Sequence, residues 1–161
     1  MNWRGSTDIK DKIFSALVYL FPLYYLLPFG RYLGQQFPGL IEIISIPLLP
    51  IALVYAALGM FAGIIIFFVL FLAVVRNPRI SHFIRYNTMQ AILIDILLTL
   101  LSIVLERVLL PIIGGGLIAE TLFNTVFIIV LAVCTYSIIQ SVLGKYAEIP
   151  QLSEAVYSQV R

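Results

Sequence analysis

Residues 51–75 run through 25 positions without one charged side chain. At the rise of a helix, that is enough to cross a hydrocarbon core of about 30 Å. Three more stretches are predominantly apolar, and together they predict spans at about 13–29, 51–75, 88–112 and 121–143. The first is short, rich in aromatics and broken by Pro22 and Pro28. Proline is tolerated in a bilayer when neighbouring helices satisfy the carbonyls it frees. Pro28, Phe29, Gly30 and Arg31 follow in order, unlike the small-residue site of a cleaved signal peptide, so the segment reads as retained. Residues 31–50 mix Arg31, Gln35, Gln36 and Glu42 with Pro38, Pro47 and Pro50. They read as a loop followed by a short interfacial helix near 40–46. Pro111 with three successive glycines ends span three, and Gly144 with Lys145 ends span four. The expected fold is all-α: a single membrane domain over 1–161, a four-helix bundle, and a cytoplasmic tail from 144.

Polar positions inside these spans are few and patterned. Residues 7 or 11 apart share a helical face, and Thr88, Asp95 and Glu106 obey that spacing, with Thr99 and Ser102 in the same arc. A carboxylate at helix centre costs roughly 2.5–3.5 kcal/mol on insertion. The stripe is therefore expected to face the bundle interior, with Tyr19, Thr135 or Tyr136 as donors to Asp95. Glu106 and Arg107 read as a pair anchored at the membrane interface. Ala52, Ala56, Gly59 and Gly63 form a small-residue face on span two, the kind that lets helix backbones approach closely. Thr121, Asn124, Thr125, Ala132, Thr135 and Tyr136 give span four a mildly polar face, expected inside the bundle.

Composition agrees. The chain is 61% hydrophobic and 11% charged, with a mean hydropathy of +1.06, too few charges to make a water-soluble surface. A net charge of +2 with no basic run excludes nucleic acid as a partner. With four spans, the N-terminus, the middle loop and the tail share one side. That side holds Arg4, Lys10, Lys12, Arg76, Arg79, Arg85, Lys145 and Arg161, against Arg31 and Arg107 opposite. The positive-inside rule then puts both termini in the cytoplasm or its organellar equivalent.

Chemistry of the enzymatic kind finds no footing. One histidine makes no His-based metal set, and Cys134 stands alone. No phosphate loop or nucleophile elbow is present, so no cofactor and no catalysis are expected. The densest polar cluster is Arg79, His82, Arg85, Asn87 and Gln90, at the entrance to span three. It reads either as positive-inside anchoring with helix capping, or as a cytoplasmic rim that docks a partner or a passing polypeptide.

Two blocks carry a resemblance: "VVRNPRISHFIRYNTMQAILIDI" at 74–96 and "GKYAEIPQLSEA" at 144–155. With the four spans and the proline-rich approach to span two, they resemble the twenty-kilodalton membrane subunit family of the translocon at the inner chloroplast envelope, most of all its cyanobacterial branch. The resemblance implies a protein-conducting or channel-associated subunit in a cyanobacterial plasma membrane or plastid inner envelope. Its partners would be the lipid bilayer, other translocon or membrane-protein subunits and a translocating polypeptide. The chain reaches span one within a dozen residues with no Ser- and Arg-rich presequence, which favours a bacterial or plastid-encoded member. Two readings stay open beside it. One is a scaffold or assembly factor without conduction. The other is an ion-coupled carrier using Asp95, although carriers usually need internal repeats and discontinuous helices, and span three shows neither.

Overall fold

A computed structural model describes residues 7–160. Arg4 and Arg161 of the charge count lie outside the described residues. Four helical runs are long and apolar enough to cross a membrane: α1 (Ile9–Gln36), α2 (Pro38–Val75), α3 (His82–Ile113) and α4 (Leu117–Val142). A short α5 (Leu152–Gln159) follows, and no strand occurs among the described residues. Asp8 starts α1 by accepting the Ile9 N–H, and Ser81 starts α3 by accepting that of Ile84.

The helices run further than the apolar pattern predicts. Residues 31–36, expected as loop, complete α1, and only Phe37 (φ −132°, ψ 72°) interrupts the helical path. Pro38 then opens α2, where its fixed φ and missing N–H cost nothing. The helix expected near 40–46 is found at Pro38–Ser45, and it joins the next segment through a single 3₁₀ turn at Ile46–Leu48.

Three helices make the core. α1, α3 and α4 pack on one another around Tyr19, Leu26, Phe29, Leu98, Phe123, Phe127 and Cys134. On α3 the inward face is Ala91, Ile94, Leu98 and Leu105, at helical spacing. Gly30 lets the end of α1 run close to α4: a Cβ there would stand 2.7 Å from the Phe127 ring and 2.9 Å from Ile41.

α2 is an arm attached to this trio at two places. Tyr55 packs on Tyr24 of α1 with ring centroids 4.6 Å apart. Val75, with Phe67, Leu70 and Phe71, packs on Met89 and Ile92 of α3. Between these anchor points the arm is broken. Gly59 has φ 63° and ψ −146°, a conformation open essentially to glycine alone, and it ends one helical rod (Leu49–Leu58) before the next begins (Ala62–Phe68).

This corrects the role expected for the small residues of span two. The buried positions of α2 are Leu48, Ile51, Ala62, Ile66 and Val75. Ala56 and Gly59 are exposed, while Ala52 and Gly63 are half-buried. A Cβ on Gly59 would meet nothing within 4 Å, so glycine is there for the backbone break and not for helix contact. The face expected inside from α4 is corrected too. Thr121, Thr125, Ala132, Thr135 and Tyr136 are exposed and Asn124 is half-buried, while Ala119, Phe123, Phe127, Val130, Cys134, Ser137 and Ser141 are the buried ones. Two of those threonines donate back to their own helix, to the carbonyls of Leu117 and Thr121, so they need no partner helix.

Candidate functional site

Helix α3 carries polar residues at two levels, and they meet different surroundings. At the level nearer His82 they are tied together. Asn87 Oδ1 accepts from the Tyr19 hydroxyl of α1 (2.8 Å) and the Ser141 hydroxyl of α4 (3.1 Å), while Asn87 Nδ2 donates to the Phe83 carbonyl (2.8 Å). Gln90 Nε2 donates to Ser137 Oγ at 3.3 Å. Asn87, Thr88, Gln90, Ser137 and Ser141 have no exposed surface. Thr88 Oγ1 and Gln90 Oε1 find no partner, but both belong to neutral groups.

The same end of α3 holds the tail. The Tyr86 hydroxyl lies 2.9 Å from Ser153 Oγ and 3.3 Å from the Ala147 carbonyl, its single proton serving one of the two, and Ser153 Oγ accepts the Ile149 N–H at 2.7 Å. His82 Nε2 lies 3.2 Å from the Val160 carbonyl and Nδ1 lies 2.9 Å from the Tyr146 hydroxyl. A carbonyl only accepts, so Nε2 carries a proton and donates to Val160. Arg85 Nε donates to the Val75 carbonyl at 2.8 Å, satisfying a carbonyl left over at the end of α2. Of the five residues expected as a rim, Arg79 alone is exposed. His82 and Arg85 are partly buried, and Asn87 and Gln90 are fully buried. The cluster is internal joinery between helices more than an open docking face.

The second level is Asp95. It lies 13 residues beyond His82, about 20 Å along the axis. It lines a cavity of about 540 Å³ between α3 and the arm, together with Tyr25, Tyr55, Gly63, Ile96 and Thr99 among others. An adjoining cavity of about 370 Å³ shares Tyr25, Tyr55, Met60 and Gly63 with it and includes Ser102. The stripe predicted on span three is thus real for Asp95, Thr99 and Ser102, but it faces the arm and not the bundle interior. Thr88 alone of that stripe is buried within the trio.

None of the expected donors reaches Asp95. Tyr19 is committed to Asn87, and Thr135 and Tyr136 are exposed on α4. Thr99 donates to the Asp95 main-chain carbonyl (2.9 Å), not to its carboxyl. Asp95 Oδ1 is buried and has no hydrogen-bond partner.

At the far end of α3, Glu106 pairs with Arg31 of α1 (2.5 Å) and not with Arg107. The Arg31 guanidinium also lies 4.1 Å from the centroid of Phe123. Gln36 Nε2 donates to Glu120 beside it.

Comparison with known proteins bears on the whole of this architecture. Residues 9–156, which include all four long helices and both interlocking motif blocks, match the family described as "Chloroplast import apparatus Tic20-like". The chain belongs to the Tic20-like family. A Tic20 family protein of Synechocystis sp. is 53% identical over 158 residues, 98% of each chain. Protein TIC 20-v, chloroplastic, of Arabidopsis thaliana is 35% identical, covering 96% of this chain and 73% of its own. The Tic20 family protein Ycf60 of Porphyra purpurea is 32% identical over 98% of this chain and 79% of its own.

Sequence reasoning had marked Asp95 but missed what surrounds it. Tyr25 and Tyr55 drew no attention because each sits in an apolar run as one aromatic among many. The signal for Tyr55 was available: no other side chain in residues 51–75 carries a hydrogen-bonding group. Ser153 and Tyr146 of the tail were likewise legible only as parts of a motif.

Proposed function

We propose that this Tic20-like chain is a membrane subunit of a protein-translocation complex and catalyses no reaction of its own. The observation that carries the reading is the family match across residues 9–156, which leaves out no helix of the membrane domain. The physical chemistry is compatible with it. Neither the buried polar knot nor the packed trio offers an activated nucleophile, and Cys134 is enclosed among core side chains. A single domain over 1–161 is the unit proposed to work in the membrane. Its neighbours would be other membrane subunits and a polypeptide in transit.

A second reading has one specific observation in its favour. The space between α1, α3 and α4 is filled by Leu26, Phe29, Leu98, Phe123 and Phe127, all buried. A path through the middle of one copy would have to displace them. The chain would then serve as a wall or scaffold of a path shared with other subunits. The arm, broken at Gly59, is the discontinuous helix that the carrier reading lacked in span three. Internal repeats, its other usual requirement, are not legible in the sequence, and that reading stays third.

The charge asymmetry supports an orientation with both termini and residues 76–87 on the cytoplasmic or stromal side. Single cysteines replacing Ser81 and Ser158 should react with an impermeant maleimide from that side only. Labelling of Ser81→Cys from the opposite side alone would overturn the four-span topology. The function is tested by arresting a translocating polypeptide in native membranes and cross-linking it. The tagged chain should be recovered with the arrested polypeptide and with other integral membrane proteins. Unchanged translocation after depletion of the chain would overturn the reading.

A further inference from the structure

The cleft beside Asp95 has the chemistry of a receptor that lacks one group. A carboxyl stands about 20 Å along α3 from its start, inside a span of apolar neighbours. Its Oδ1 is buried and unpaired. The polar groups sharing the cavity are the hydroxyls of Tyr25, Tyr55 and Thr99, and that of Thr99 is already spent on a main-chain carbonyl. Burying a carboxyl without a partner is costly, so the missing group is a hydrogen-bond donor, and best a cationic one.

No cationic donor comes from this chain. Residues 13–30, 51–75, 88–106 and 117–142 contain no lysine or arginine. The basic residues nearest along α3 are Arg85 and Arg107, 10 and 12 positions away, or about 15 and 18 Å along the axis. A second copy would bring no cation to this depth either. Lipid headgroups sit at the interface, roughly 15 Å from the middle of the hydrocarbon. A cation at this depth therefore arrives on another membrane-spanning segment.

The walls fit such a segment. The arm presents Met60 (90% exposed), Ile64 (62%) and Phe68 (52%) on one side of the cavity at helical spacing, and α3 presents Ile96 and Leu100 on the other. Two apolar ridges with a carboxyl between them make a groove for one helix. The close approach of backbone at Gly63, whose Cβ would meet only the Tyr25 hydroxyl at 3.6 Å, leaves room at the floor.

We propose that the cleft between α3 and the broken arm binds one transmembrane helix of another polypeptide, through a lysine or arginine near its middle that pairs with Asp95. The inference rests on the translocation-complex reading, which supplies such helices as neighbours. The break at Gly59 lies beside this cleft, between the arm's two attachments, with Ala62 and Ile66 buried and Met60, Ile64 and Phe68 left open to a guest.

The test uses the full chain in lipid nanodiscs, with a photoreactive benzoylphenylalanine at Ile96. The probes are two synthetic transmembrane peptides of leucine and alanine, one with a central lysine and one with leucine there. The lysine peptide should give about tenfold more adduct, the scale expected of a charge-assisted bond in lipid. Asp95→Asn, which keeps size and fold, should bring the two peptides to equal yield. Gly63→Leu, which fills the floor, should lower the lysine adduct without touching the carboxyl. The same photoreactive group at Ile139 on α4 should not distinguish the peptides. Equal adducts in the unaltered chain would overturn the proposal. So would a photoactivatable phospholipid, or a second copy of the chain, that occupies Ile96 and is not displaced by the lysine peptide. The outcome is separable from the parent reading. Lysine-selective adducts from a chain that captures no translocating polypeptide would leave the cleft standing and remove the translocation role. Capture of that polypeptide with no lysine selectivity would do the reverse.

Discussion

Asn87 and Asp95 stand eight residues apart on α3, about 12 Å along the same helix, yet one is bound on every side and the other is not. Asn87 receives two hydroxyls from two different helices and gives its amide to a third group. Asp95 receives nothing at Oδ1. The difference follows from which helix each residue faces. Asn87 looks into the trio, where α1 and α4 come close and bring Tyr19 and Ser141. Asp95 lines the cavity between α3 and α2, where no hydroxyl reaches its Oδ1. Closed polar groups of the first kind fix how helices pack. An open one of the second kind costs stability and is retained for binding, in keeping with intramembrane acids generally.

The sharpest break of this comparison is Asn87→Leu. It strands the Tyr19 and Ser141 hydroxyls in the core, and stability should fall by about 2–4 kcal/mol. Reversible unfolding in mixed micelles measures it. Loss of the α1–α3–α4 packing should follow, since one side chain joins all three. A change below about 0.5 kcal/mol would mean that the knot is incidental, as some interhelical hydrogen bonds in membranes are.

Gly59→Ala comes next. The residue has a backbone conformation that a Cβ resists whatever the space around it, so the substitution should cost about 1–3 kcal/mol or straighten the arm. These outcomes are distinguishable by the spacing of spin labels at Val54 and Ile64. A straightened arm should also narrow the cleft and reduce capture of a guest helix, while the Asn87 knot stays intact.

Asp95→Leu should move stability the other way. No hydroxyl depends on the carboxyl, so its removal strands nothing and deletes an unpaired buried group. A gain of about 1–2 kcal/mol is expected in the same micelle assay, with loss of lysine-dependent capture. Opposite signs at Asn87 and Asp95 would sharpen the comparison to its limit. A loss at Asp95 as large as at Asn87 would erase it, since it would require a partner inside the chain.

Much of this was legible from the sequence, for physical reasons. Four spans follow from residue lengths and the absence of charge, because bilayer thickness sets a length that composition must meet. The importance of residues 74–96 and of the tail was legible as two unusual blocks. What was not legible is that they hold each other: Tyr86 to Ser153 and His82 to Val160 are contacts between positions more than sixty residues apart. The polar stripe was found by its spacing, but periodicity gives a face without saying which helix it meets. Asp95 was assigned to the bundle interior for that reason. Gly59 was read as a packing residue because small-residue spacing and a left-handed backbone break both demand glycine, and only coordinates separate them. The helical stretch at residues 31–36 was missed because its polar side chains spoil the apolar pattern; two of them, Arg31 and Gln36, are used in bonds to Glu106 and Glu120 of other helices.

Arg31 and Glu106 give a third polar level on α3 and the smallest expected effect. The pair has good geometry, but its side chains are 38% and 35% exposed, so water screens the attraction and already satisfies each partner when the other is gone. Arg31→Ala should therefore cost under about 1 kcal/mol, part of it from the lost contact of guanidinium with Phe123 rather than from the ion pair. Glu106→Gln separates the two, because it removes the charge and leaves the ring contact. It should cost less than Arg31→Ala, and its effect should fade in high salt while that of Arg31→Ala persists in part. With all three measured, one helix would carry a bonded buried group that stabilises, an exposed pair that hardly matters, and a buried unpaired acid that destabilises. Exposure and partner, not polarity itself, would then account for the sign at each level.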